Sequence, residues 1–327
     1  MDTCPITARS LERHYKVDAD QLEKQYKYHL SDYSIWAQKD HAQDWLLFPE
    51  NIGPYLSLDE TSLSDGELYT ILTNKQAKGK KGCLVAMIKG TNSDDIIPIL
   101  EKLPQSSQNS VLEITLDMAN SMRKIAKSCF PKALITTDRF HVQKLCQEAL
   151  QKMRIEYRWE ALDQEILEQD LAKASGIKYK PTTLENGDSP KQLLARSRYL
   201  LFKSCDKWTV SQKTRANLLF DRYPKLKEAY NLTHALRMIY NNSKSKAGAR
   251  LNLAKWYKKV EESGFKTFGT IVKTIYNNYE EILNFFVNRA TNASAESFNA
   301  KIKSFRANLR GVSDINFFLF RLAKIYA

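Results

Sequence analysis

The chain has 327 residues, of which 43% are hydrophobic, so it is long enough for two domains or for one domain with a large insertion. Its 50 Lys and Arg against 37 Asp and Glu give a formal net charge of +13, which favours an anionic partner, most simply a nucleic acid. Five widely spaced cysteines without a C-x-x-C pair argue against both a disulfide framework and a zinc ribbon. No apolar run approaches the ~18 residues that span a bilayer, and the first residues do not resemble a signal peptide. We therefore expect a soluble cytoplasmic protein with reduced thiols.

Residues 1–47 are polar, and their apolar side chains recur at helical intervals, which predicts an N-terminal helical arm. From residue 48 to residue 142 the pattern changes to short strands. Ser64, Asp65 and Gly66 predict a turn between the first two strands. Three strands with short connections, and therefore an antiparallel meander, are predicted by the runs at 55–63, 67–73 and 83–89.

Two more strands are predicted at 111–117 and 133–138, each after a short helix. The resulting order βββαβαβ is an α/β arrangement of the ribonuclease-H type. Three of the predicted strands carry an acid at their ends: Asp59, Asp117 and Asp138.

Residues 143–287 show helical spacing without strand alternation, which predicts a large all-helical insertion. The last part of the core, at 288–327, opens with a helix for which Asn292 is a good N-cap. One stripe of this helix is apolar, and the other stripe, which can reach a ligand, carries Glu296, Asn299 and Lys303.

The acids have two interpretations. Asp59 on a strand flanked by apolar residues is either a partly buried structural acid or a site residue. If the first and fourth strands are neighbours, Asp59 and Asp117 can share divalent cations, with Glu296 as a third ligand. The alternative for Glu296 is compensation of the helix dipole in the first helical turn.

Four blocks stand in order along the chain: LSLDET at 56–61, TLDM at 115–118, TDRFHV at 137–142 and TNASAESFNAKIK at 291–303. Together they resemble the catalytic blocks of bacterial insertion-sequence transposases of the ISL-three type, which have a DDE active site. The resemblance extends from about Trp45 to the C-terminus.

The resemblance implies a ribonuclease-H-like core interrupted by a helical insertion. It also implies that Asp59, Asp117 and Glu296 are the catalytic, metal-binding triad for Mg²⁺, for which Mn²⁺ substitutes. Asp138 and His141 match a D-x-x-H signature that supports the site in several transposase groups. A buried strand-end histidine satisfied by hydrogen bonds is the alternative for His141.

The basic side chains are candidates for DNA contact, because phosphates attract Lys and Arg. Residues 297–327 carry six Lys and Arg against Asp314 alone. Candidates for contact with the DNA backbone are Arg139, Asn299, Lys301, Lys303, Arg306 and Arg310. Candidates within the helical insertion for holding a DNA end are Arg196, Arg198 and Trp208, although Trp208 is also a typical packing residue.

We therefore expect a DNA transposase that cleaves phosphodiester bonds at transposon ends and transfers the strand into target DNA. The expected partners are double-stranded DNA, with terminal inverted repeats and a target, and a second copy of the chain on DNA, in a bacterial cytoplasm near the nucleoid. Full-length relatives carry an N-terminal zinc-binding and helix-turn-helix region, but here the catalytic blocks start near residue 55. A separately encoded N-terminal DNA-reading protein is therefore an expected partner, with residues 1–47 as its docking segment.

Two alternative functions remain at this point. One is a structure-selective DNA nuclease on the same fold, such as a junction resolvase. The other is a transposase relative that binds DNA without chemistry.

Overall fold

The computed structural model describes residues 1–63 and 66–327, so the turn predicted at Ser64 and Asp65 lies outside the described residues. The chain divides into two compact units, residues 1–138 with 288–327, and residues 139–287. Among the described residues, no helix combines the length and apolar character needed to cross a membrane.

Within the first unit, the described residues form one mixed sheet. Its strands are β1 (Trp45–Leu47), β2 (Tyr55–Ser62), β3 (Leu68–Asn74), β4 (Leu84–Lys89), β5 (Glu113–Leu116) and β6 (Leu134–Thr137). They lie side by side in the order β1-β4-β3-β2-β5-β6. The predicted antiparallel meander is confirmed for β2, β3 and β4. Strand β5 pairs in parallel with β2, and β6 pairs in parallel with β5.

Strand β1 is a difference from the sequence prediction, which assigns its residues to the helical arm. It pairs antiparallel with β4 at the edge of the sheet. Its central residue, Leu46, is fully buried. Three residues are too few to show alternation, so periodicity could not separate this strand from the arm.

The α-helices of the described chain are α1 (Ala8–Tyr15), α2 (Ala19–Gln25), α3 (Ser93–Leu100), α4 (Gln105–Ser110), α5 (Asn120–Cys129), α6 (Arg139–Ala174), α7 (Pro190–Arg196), α8 (Arg198–Phe202), α9 (Val210–Arg222), α10 (Pro224–Asn242), α11 (Lys246–Ser263), α12 (Lys266–Asn277), α13 (Tyr279–Asn288), α14 (Ala293–Asn308) and α15 (Ile315–Tyr326). The mixed α/β class is therefore confirmed.

Helices cover both faces of the sheet in the first unit. On one face, strand residues such as Leu56 and Ile114 pack with Ile96 of α3 and Ile125 of α5. On the other face, Ile71 and Met87 belong to a second core, to which α14 and α15 contribute Phe298, Ile302, Phe305 and Leu319. The apolar stripe predicted for α14 is thus buried, and it fixes this helix against the sheet.

The N-terminal segment packs on α15 in the same unit. The rings of Tyr33 and Phe317 meet edge to face with 5.3 Å between centroids, and so do those of Tyr33 and Phe320. Tyr26 completes this aromatic cluster.

The second unit contains helices α6 to α12 and most of α13. Helix α6 begins at Arg139 rather than at the predicted Gln143, because it follows β6 without a turn. Its buried residues Val142, Cys146 and Leu150 recur every four positions, which is the spacing of one helix face. The Thr233 hydroxyl of α10 donates to the Cys146 carbonyl at 3.3 Å, so α6 and α10 pack together.

Candidate active site

Three aspartates lie on the adjacent strands β2, β5 and β6 or directly after them. Asp117 and Asp138 follow β5 and β6 directly, as predicted, but the predicted strand-end position of Asp59 is wrong, because β2 continues past it to Ser62 in its pairing with β3. Strand pairing aligns one set of residues across these strands: Ser57, Thr115 and Thr136. Two positions later along each strand come Asp59, Asp117 and Asp138, which we call the acid row. Because side chains alternate between the two faces of a strand, the acid row occupies one face of the sheet. The prediction that the first and fourth strands are neighbours is confirmed by the pairing of β2 with β5.

Negative charge is concentrated at the acid row. Asp138 is buried, and Asp59 and Asp117 are half-buried. Burial raises the pKa of the neighbouring Glu60, and the charges of Asp117 and Asp59 raise that pKa further. Carboxylates this close disfavour each other's ionised form, and a cation relieves that repulsion.

Helix α14 holds Asp59 through Asn299. The Asn299 Nδ2 donates to Asp59 Oδ2 at 2.9 Å and to the Glu60 carbonyl at 3.2 Å. The Asp59 Oδ1 accepts from the Glu60 backbone N–H at 2.9 Å. Asn299, predicted to contact DNA, is thus buried, with its amide turned toward the sheet.

The start of α14 is held to the same sheet edge by Asn292. Its backbone N–H donates to Asp138 Oδ1 at 3.3 Å, and its Nδ2 donates to the Leu58 carbonyl at 3.4 Å. Asn292 occupies the predicted N-cap position, but its side chain makes no capping hydrogen bond. The predicted N-cap position is therefore confirmed, but the hydrogen bond from Nδ2 to β2 holds the side chain in another orientation, and Oδ1 does not accept from the first turn of the helix.

Glu296 lies in the first turn of α14, between these two asparagines. A carboxylate oxygen of Glu296 comes within 4.8 Å of one of Asp138. Its side chain is exposed, whereas Asp138 is 2% exposed. The helix therefore brings a fourth carboxylate, distant in sequence, to the acid row.

A buried ion pair lies on the same face of the sheet, before the acid row. The Lys75 ammonium donates to Glu113 Oε1 at 2.8 Å and to the Thr115 hydroxyl. Glu113 Oε2 accepts from Asn288 Nδ2 at 3.1 Å. Burial lowers the pKa of Lys75, although Glu113 acts in the opposite direction. This pair fixes the stretch of β5 that leads to Asp117.

His141 lies in the first turn of α6, in the second unit. It is half-buried, and its ring meets that of Phe140 edge to face at 5.9 Å. The alternative interpretation as a buried strand-end histidine is wrong, because α6 has already begun at this residue.

The basic DNA-contact candidates differ in their surroundings. On α14, Lys301 donates to the Gly79 carbonyl at 2.7 Å and Arg306 is half-buried, whereas Lys303 is exposed, as is Arg310 just beyond the helix.

The candidates in the second unit mostly have polar partners within that unit. Arg139 donates to Asn241 Oδ1 at 3.4 Å. Arg196 forms an ion pair with the buried Asp188. Trp208 Nε1 donates to the Leu200 carbonyl at 3.0 Å, which agrees with its packing interpretation. Arg198 is exposed and lies over the Tyr199 ring.

Sequence reasoning missed Glu60, Lys75 and Glu113 near the acid row. The Asp59–Glu60 dipeptide was the available signal for Glu60, since two adjacent acids within a strand are costly without a counter-charge. Lys75 and Glu113 gave no local signal, because they meet only through the sheet.

The residues present fit a hard divalent cation. Mg²⁺ prefers oxygen ligands, and the acid row with Glu296 supplies carboxylates alone. Burial, and then the charges of Asp117 and Asp59, raise the pKa of the neighbouring Glu60, and a bound cation would offset such repulsion between carboxylates.

The family model for transposases of the ISL-three DDE type matches residues 56–322. No curated protein matches the chain. The family match includes the acid row, Glu296 and the helices between them. The chain therefore belongs to the ISL-three family of transposases.

Proposed function

We propose that the chain is a Mg²⁺-dependent DDE transposase that cleaves phosphodiester bonds at transposon ends and joins the freed 3′-hydroxyl to target DNA. The observation that carries the proposal is the meeting of the acid row with Glu296 at one sheet edge. The strand order, three antiparallel strands followed by two parallel ones, supports a ribonuclease-H-like core.

Asp59, Asp117 and Glu296 would hold the cations, and Asp138 adds a fourth carboxylate at the same edge. A bound cation pair supplies activation of the attacking oxygen and stabilisation of the leaving oxygen. The chain's own residues orient these ligands: Asn299 fixes Asp59, and the Ala119 N–H donates to Asp117 Oδ1 at 2.7 Å. His141 is proposed to support the site, as its D-x-x-H spacing suggests.

The proposed substrate is double-stranded DNA carrying the terminal inverted repeats, together with target DNA. The exposed Lys303 and Arg310 are the first candidates for phosphate contact, since their charges face solvent. A second copy of the chain on DNA and a separately encoded N-terminal DNA-reading protein are proposed partners.

The test is cleavage of a labelled duplex carrying the inverted repeats that flank the gene, with and without Mg²⁺. We expect Asp59→Asn, Asp117→Asn and Glu296→Gln each to reduce cleavage by more than about 100-fold. Glu262→Gln, at an exposed acid of α11, is the matched control and keeps activity.

Each contrary outcome points to a different conclusion. Full cleavage by one variant removes that residue from the catalytic role. Cleavage without joining to target DNA supports the nuclease alternative, and DNA binding without Mg²⁺-dependent cleavage supports the binding-only alternative.

A further inference from the structure

Two asparagines flank Glu296 on one face of its helix, about one turn away on either side. Asn292 is fully buried and Asn299 is 8% exposed. Their Nδ2 atoms are hydrogen-bonded, but among the described residues neither Oδ1 atom has a partner. A buried amide oxygen without a partner is costly, so these two acceptors need a reason beyond packing.

The contacts of Asn299 control the orientation of Asp59. Asp59 Oδ2 accepts from Asn299 Nδ2, and Asp59 Oδ1 accepts from the Glu60 N–H, so each oxygen of the carboxylate has a donor. The same Nδ2 also donates to the Glu60 carbonyl, which fixes the amide itself. Two bonds from one nitrogen leave the side chain little rotational freedom.

The spacing along α14 adds a second constraint. Glu296 and Asn299 are three positions apart, so they lie on neighbouring points of one helix face. Phe298 and Ile302 are fully buried in the core below, which prevents α14 from rotating. The position of Glu296 and the orientation of Asp59 are therefore set by one rigid element.

We propose that Asn299 is a positioning residue for divalent-cation binding, which orients Asp59 toward Glu296 and offers its buried Oδ1 to a hydrogen-bond donor of the cation-loaded site. Asn292 acts in the same way at the other end, through Asp138 and Leu58. This inference rests on the proposed function, because it requires a cation at the acid row. Partners that orient metal ligands in this manner typically contribute 10–100-fold to metal affinity.

The test is Mn²⁺ binding to the full chain without DNA, measured by electron paramagnetic resonance. Asn299→Leu keeps the same branched skeleton of heavy atoms and removes the donor, and we expect it to weaken Mn²⁺ binding by about tenfold or more. Asn308→Leu, at an exposed position of α14, is the matched control and keeps the wild-type affinity. Asn299→Gln retains an amide displaced by one methylene, and its affinity is expected between those of the wild type and Asn299→Leu.

An unchanged Mn²⁺ affinity in folded Asn299→Leu would show that the residue only packs, and this would overturn the proposal. If Asn299→Leu does not fold, Asn299→Gln decides, since wild-type affinity in that variant contradicts the positioning role. A failure of the proposed function gives a different result. In that case the wild-type protein would bind no Mn²⁺ at the acid row, and Asp117→Asn would leave Mn²⁺ binding unchanged.

Discussion

The buried pair of Lys75 and Glu113 offers a stability test of the framework beneath the acid row. Replacing Lys75 with Met keeps the aliphatic stem and removes the ammonium. The Lys75 and Glu113 side chains are 15% and 4% exposed, and the ion pair measures 2.8 Å. After the change, Glu113 keeps its hydrogen bond from Asn288 but loses its counter-charge.

Breaking a buried ion pair by removing one partner costs about 3–5 kcal/mol, because the other charge stays buried. That is a large part of the total stability of about 5–15 kcal/mol typical of a folded protein. The lowered pKa of Lys75 shows that the attraction does not fully offset desolvation of the ammonium. Removing both charges with Lys75→Met and Glu113→Gln should therefore recover most of the loss.

Native-state hydrogen exchange of the β5 amides measures this effect within the first unit. Lys89→Met is the matched control, because the Lys89–Glu67 pair measures 2.9 Å but its side chains are 43% and 36% exposed. An exposed pair contributes at most about 1 kcal/mol. A loss of that small size for Lys75→Met, or no recovery in the double variant, would refute the reasoning.

Two further predictions concern packing and pH. Gly53→Ala would place a Cβ 2.7 Å from Asn74 Nδ2, which already donates to the Asn51 carbonyl. We therefore expect urea unfolding to show a free energy of unfolding that is lower by about 1–3 kcal/mol. Gly269→Ala in α12 meets nothing within 4 Å and should gain up to about 1 kcal/mol; a gain in both variants would contradict the packing argument. Burial first, and then Arg237, lower the pKa of His234 to about 4, so the unfolded state binds more protons as the pH falls from about 6.5 to about 4. We expect thermal unfolding to show a free energy of unfolding that is about 1–2 kcal/mol lower at pH 4.5 than at pH 7, after discounting for partial exposure of His234. The His234→Gln variant should show a smaller difference between the two pH values. An equal loss in both proteins would exclude His234 as its source.

The sequence predicted the elements whose pattern is local. Alternation and short apolar runs predicted β2 to β6, and the acids on β2 and directly after β5 and β6 were recognisable as a set. The apolar stripe of α14 was correctly predicted, because Phe298, Ile302 and Phe305 recur at helical spacing and are buried. These features need only a window of a few residues.

Contacts between distant segments could not be predicted in this way. Asn299 was predicted to lie on a ligand-facing stripe because it is polar. In the structure it is buried against β2, where its amide donates to the Asp59 carboxylate. Periodicity separates polar from apolar faces but does not say whether a polar face meets solvent or another polar group. For the same reason, Asn292 was assigned a local cap instead of its contact with Leu58.

The most direct test of the central claim is anomalous diffraction from crystals of the protein soaked in Mn²⁺. The account predicts anomalous density bounded by the carboxylates of Asp59, Asp117 and Glu296, and its loss in crystals of Asp117→Asn. Ordered Mn²⁺ bound only elsewhere, with these carboxylates unoccupied at a concentration that supports DNA cleavage, would contradict it.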